Sequence, residues 1–135
     1  MPCEPTLPDR PPAQLVGDAA ELVRGANHAT INPADSGMAS GAEVYDTVAA
    51  LYQLTSRLPQ LCAQLAGILA TATTRGSLTG PPQAPERAAA ELRHAAKTLT
   101  PAAAAVDAAW QRLGPVGGWL RPDAPEAGPD GEPAP

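Results

Sequence analysis

Residues 40–73 read SGAEVYDTVAALYQLTSRLPQLCAQLAGILATAT, and this stretch decides the fold. It opens on Ser40-Gly-Ala-Glu43, a capping box in which the Ser hydroxyl accepts from the N3 amide while Glu43 reaches back to the cap. Behind the cap, Val44, Leu51, Leu58, Leu65 and Ala72 recur every seven residues. Thr47, Leu54, Leu61 and Ile68 keep the same repeat, as do Val48, Thr55, Cys62 and Leu69. Three adjacent rows make a broad apolar face, wider than a coiled-coil seam. The spacing predicts one helix from Gly41 to Thr73. Pro59 removes the amide that would bond the Thr55 carbonyl, so a kink is expected there. The repeat keeps its phase across Pro59, which argues against a break. Tyr45 and Tyr52, one heptad apart, flank the apolar face as rim residues of a core or an interface.

A second repeat lies downstream. Leu92, Leu99, Val106 and Leu113 are seven apart, with Ala96, Ala103 and Trp110 filling the seam between them. This predicts a helix over about 86–113, kinked at Pro101 rather than divided into two collinear helices. Residues 75–85, with Gly76, Gly80, Pro81, Pro82 and Pro85, form the connector. Two long helices in matching phase, joined by so short a link, are expected to pair as an antiparallel hairpin. Small Ala opposite bulky Leu permits close approach of the axes. A short helix over about 12–24, carrying Leu15, Val16, Ala19, Leu22 and Val23 at helical spacing, precedes them. Gly25 is placed to stop it. That helix is expected to cover part of the groove.

Composition agrees with an all-α chain. Alanine supplies about half of the apolar residues, and the 135 residues include 2 Trp, 2 Tyr and no Phe. Helix formers dominate and β-branched and aromatic residues are scarce, which excludes an all-β fold. The 17 prolines would oppose helices if evenly spread. They gather instead at Pro2, Pro5, Pro8, Pro11 and Pro12 and at Pro115, Pro122, Pro125, Pro129, Pro133 and Pro135. The first four recur at the three-residue period of a polyproline II face. The expected organisation is a disordered Pro-rich arm over 1–11, a helical bundle over 12–113 and a disordered acidic Pro/Gly tail over 114–135. Within the tail, Val116-Gly-Gly-Trp119-Leu120 sets two larger apolar residues where they can fold back or engage a partner.

The net charge of −5 is unevenly placed, because Asp123, Glu126, Asp130 and Glu132 lie in the tail with no base after Arg121. The body is close to neutral, and its Arg and Lys occur singly. Nucleic-acid binding needs a basic stripe, and none is present. No apolar run stands behind a basic start, and Pro59, Gln60 and Gln64 interrupt the most apolar stretch, so neither a leader nor a membrane span is expected. Cys3 and Cys62 occupy unrelated settings and read as free thiols of a reducing cytoplasm.

The chain offers little for chemistry. His28 and His94 have no Cys or paired carboxylate at ligand spacing, so no metal and no cofactor is expected. Arg75-Gly-Ser-Leu-Thr-Gly80 lacks the Lys-Ser/Thr of a phosphate loop, and no Gly-x-Ser-x-Gly elbow exists. Polar side chains of several kinds cluster only in residues 25–40, read as a long loop. There Asn27, His28, Thr30, Asn32 and Asp35 are candidates for contact with a ligand or partner. The segments Asn27-His-Ala-Thr-Ile-Asn-Pro33, Val44-Tyr-Asp-Thr-Val48 and Arg57-Leu-Pro-Gln-Leu61 resemble a set of small helical proteins of high-GC actinobacteria, over about residues 13–70. That group carries no established activity, so the resemblance implies a helical fold and a source, and no site residue. Secreted WXG-type hairpins differ, because residues 75–85 contain no Trp. The expectation is a non-enzymatic helical interaction or accessory protein that binds a protein partner or a second copy through Tyr45, Tyr52 and Trp119. The alternative is a small-ligand-binding regulatory domain that uses the 25–40 loop.

Overall fold

The computed structural model describes residues 9–32 and 41–114. Their secondary structure is helical throughout, without a strand: α1 spans Pro12–Ile31, α2 Gly41–Thr74 and α3 Ala84–Leu113. Most of the expected arm, Ser40 of the capping box, residues 33–39 and the tail from Pro115 lie outside the described residues. The chain falls into two units, one ending at Ser40 and the other beginning at Gly41.

In the first unit, α1 starts on Pro11, whose extended backbone (φ −56°, ψ 143°) leads into Pro12 at the first turn. There the missing amide costs nothing, because it has no partner within the helix anyway. Ion pairs join Arg10 to Asp18 and Arg24 to Glu21 on its exposed surface. The helix does not stop at Gly25 as its sequence suggests; it continues to Ile31. A glycine inside a helix costs only about 1 kcal/mol relative to Ala. Gly25 does not take the left-handed conformation that a C-terminal cap would use, since positive φ among the described residues occurs only at Gly76 and Gly80. No residue of α1 is buried.

In the second unit, α2 packs on α3. Both helices pass through their internal prolines, Pro59 and Pro101, and α3 is one helix rather than two. Tyr45 and Tyr52, near the start of α2, meet Trp110 near the end of α3. Leu69 and Thr73, near the end of α2, line one cleft with Ala84 and Ala88 at the start of α3. Among the described residues the fully buried apolar ones are three alanines: Ala66 of α2 and Ala89 and Ala103 of α3. The row of α2 that meets α3 is therefore Tyr45, Tyr52, Pro59, Ala66 and Thr73. The expectation that the bulky Leu rows of α2 supply the buried contact is met only in part: Leu54, Leu58, Leu61 and Leu69 are half-buried beside this row, whereas Leu51, Leu65 and Ile68 stay 44%, 40% and 64% exposed. Ala66 on α2 and Ala89 and Ala103 on α3 allow close approach of the backbones where they lie, and the larger Tyr45, Tyr52 and Trp110 fill one end of the pair.

The connector begins with a Schellman closure of α2. Gly76 sits at φ 65°, its amide donates to the Thr73 carbonyl (3.1 Å), and the Ser77 amide donates to the Ala72 carbonyl (3.1 Å). These bonds satisfy carbonyls that the helix end leaves open. Two glycine substitutions should therefore act in opposite directions. Gly67, inside α2 with no atom within 4 Å of an added Cβ, gains stability on Gly67→Ala, by about 0.5–1 kcal/mol. Gly76→Ala meets no steric neighbour either, yet forces a Cβ into the left-handed region and loses about 1–2 kcal/mol. Urea unfolding followed by circular dichroism reads both. The same measurement should give a loss of about 1–3 kcal/mol for Ala103→Leu, which wedges the seam apart. Ala90→Leu, on the exposed side of α3, should stay within about 0.5 kcal/mol.

Candidate functional site

Asn27, His28 and Thr30 stand on the last turns of α1, not in a loop, and all three are exposed. The Thr30 hydroxyl donates to the Asn27 carbonyl at 2.9 Å, a local bond that occupies the hydroxyl within its own helix. His28 lies in the last turn of the helix. Asn32 forms the C-cap with φ −119° and ψ 83°. Asp35 and Trp119 lie outside the described residues. The structure thus places three of the five polar candidates on one solvent-facing helix surface and does not bring them together around a cavity.

The second unit brings together a different set. Trp110 stacks on Tyr52 (ring centroids 5.8 Å apart, planes at 24°) and meets Tyr45 at a tilt (6.0 Å, 45°). All three are half-buried, and they include three of the four aromatic residues in the chain. Each ring contact of this kind contributes about 0.5–1.5 kcal/mol beyond the area it buries. The indole Nε1 of Trp110 is buried without a hydrogen-bond partner, which costs about 1–3 kcal/mol and marks the ring as held by packing. The tyrosines therefore close one end of the α2–α3 seam. The sequence carried the signal: Trp110 continues the Ala89, Ala96, Ala103 row, and Tyr45 and Tyr52 share one row of α2.

Two concavities adjoin the seam. The cleft at the connector end, of about 610 Å³, is lined by apolar groups from Leu69, Leu78, Pro81, Ala84 and Ala88, with Thr73 and Thr79 as its side-chain polar groups. A shallower one lies beside Tyr52, Pro59, Thr100, Ala103 and Asp107. Ser56 also borders the second, and the Ser56 and Thr100 hydroxyls there donate to the Gln53 and Ala96 carbonyls of their own helices, at 3.0 and 2.9 Å. Among the described residues, no group of three or more His, Cys, Asp or Glu side chains is placed to hold a metal ion, and no helix is long and apolar enough to cross a membrane.

The largest feature left is a surface. Among the rows without a charged residue are the three apolar rows of α2 and, on α3, Pro85, Leu92, Leu99, Val106, Leu113 and Ala88, Ala95, Ala102, Ala109. Glu43, Asp46, Arg57, Glu86, Arg87, Glu91, Arg93, Lys97, Asp107 and Arg112 all stand on other rows. Comparison of the chain with protein-family models, with curated proteins and with solved structures returned no match.

In a Trp119→Phe background, which leaves Trp110 as the reporting indole, Tyr52→Ala should shift Trp110 emission to longer wavelength and lower stability by about 1–2 kcal/mol. Ala at Asn27, His28 and Thr30 together should leave the melting curve of α2 and α3 unchanged within about 0.5 kcal/mol.

Proposed function

We propose that the chain is a non-enzymatic interaction protein whose second unit presents one apolar face to a helical protein partner. We infer that α2 and α3 form an antiparallel hairpin, in keeping with the Tyr45–Tyr52–Trp110 contacts at one end and the Leu69–Thr73–Ala84–Ala88 cleft at the other. Pro59 and Thr100 border one concavity, so bends at Pro59 and Pro101 fall at similar depth along the pair. Both sets of charge-free rows lie on the same hand of the seam. Antiparallel pairing then brings them to one side of the two-helix layer, with every charge of α2 and α3 at its border or on the opposite side.

The observation that carries the proposal is the exposure of Leu51, Leu65 and Ile68 within that charge-free surface. A contiguous apolar patch of this extent is what a soluble chain keeps for a partner. The absence of charge on it selects a partner that is itself apolar and uncharged along its contact, such as the apolar stripe of another helix. It is equally unsuited to nucleic acid, whose affinity rests on phosphate contacts.

The test is apolar-dye binding at nanomolar protein concentration. The full chain should bind bis-ANS saturably, and Leu51→Glu with Leu65→Glu should remove most of that signal without loss of helicity. Arg93→Glu with Lys97→Glu, on the opposite side, should leave it unchanged. Equal dye binding by both double variants would exclude the face as the interaction surface.

A further inference from the structure

We propose that the occupant of this face is a second copy of the same chain, and that the two hairpins stack with α2 of each over α3 of the other. The inference rests on the docking-face reading above and goes on to name its partner.

Size supports it first. Helices of 34 and 30 residues are about 45–50 Å long, and two lying side by side present a face of roughly 800 Å². Two such faces together bury about 1,600 Å², the area of a standard stable interface. Among the described residues of one copy only alanines are fully buried, while Leu54, Leu58, Leu61, Leu92 and Leu99 are half-buried, a half-covered core that a four-helix bundle would complete.

Shape supports it second. Contacts across the seam pair residues whose numbers sum to about 160, as in Gln60 with Thr100 and Ser56 with Ala104, which line one concavity. On the charge-free face the bulky row of α2 is Leu51, Leu58 and Leu65, and the small row of α3 is Ala109, Ala102 and Ala95. Each Leu lies at the depth of one Ala. A two-fold axis parallel to the helices keeps depth and exchanges α2 for α3, so each Leu of one copy meets an Ala of the other. Such an interface is isologous and self-complementary, with large side chains seated on small ones. An axis across the helices would instead set Leu on Leu and Ala on Ala, leaving gaps beside overpacked rows.

The experiment is the solution mass of the full chain by light scattering and sedimentation from 1 to 100 µM. A dimer of the 13.7 kDa chain is expected. Leu65→Glu, at a position exposed in the single copy, should weaken the dimer by about a hundredfold or more with helicity unchanged, because it buries an unpaired charge. Ala109→Leu alone should weaken it about tenfold, and Leu51→Ala in the same chain should recover most of the loss by exchanging large for small. A monomer at 100 µM would overturn the proposal, as would a dimer indifferent to Leu65→Glu. A monomer that still binds bis-ANS would overturn the second copy alone and keep the docking face for another partner. A monomer that binds none would overturn both.

Discussion

The structure of the second unit depends on one constraint: two helices can lie close only where the residues between them are small. Ala89 and Ala103 on α3 and Ala66 on α2 meet that condition, and among the described residues they are the fully buried apolar ones. The alanine seam fixes which rows face each other, and Trp110 against Tyr45 and Tyr52 closes its far end. Close approach brings dispersion and backbone contact but removes little apolar area from water, since each Ala offers one methyl. The driving force that normally dominates folding, about 25 cal/mol per Å² of apolar surface buried, is therefore only partly used within one copy.

What the seam does not use determines the rest. The Leu rows of α2 are turned to the side of the layer, where Leu51, Leu65 and Ile68 remain exposed. No charge interrupts them, and the neighbouring rows of α3 are equally free of charge. Threonines along α2 do not disturb this surface, because Thr47 and Thr55 donate to the carbonyls of Glu43 and Leu51 four residues back, at 2.7 and 2.9 Å. Their hydroxyls are satisfied within the helix, and their methyl groups are left to the face. The result is a layer with a narrow inner seam and a wide outer apolar face, an arrangement that becomes a full core once a matching layer covers it.

Much of this was legible before the coordinates. The heptads placed α2 at Gly41–Thr73 against the observed Gly41–Thr74, and α3 at about 86–113 against Ala84–Leu113, and phase carried correctly through Pro59 and Pro101. Two inferences failed, the second in part, for physical reasons. Gly25 reads as a stop, but its cost is small and the helix runs on through Ala26 and Ala29 to Ile31, drawing Asn27, His28 and Thr30 out of the expected loop. The Leu rows read as the inner face, yet they flank the row of Tyr45, Tyr52, Pro59, Ala66 and Thr73 and are only half covered, with Leu54, Leu58 and Leu61 half-buried and Leu51, Leu65 and Ile68 exposed. Periodicity finds the apolar face of a helix but not the row of it that meets the partner helix. The partnership of Trp110 with both tyrosines was visible only as shared heptad rows, since sequence spacing along one helix does not say which row of another it meets.

The most direct test of this account is the thermal unfolding midpoint of the full chain as a function of its own concentration. If a second layer completes the core that one copy leaves half covered, association adds to the stability of the folded hairpin and the midpoint rises steadily with concentration between about 1 and 100 µM. A midpoint that stays constant over that range, with a single cooperative transition, would show that one copy already holds its complete core and would contradict the account.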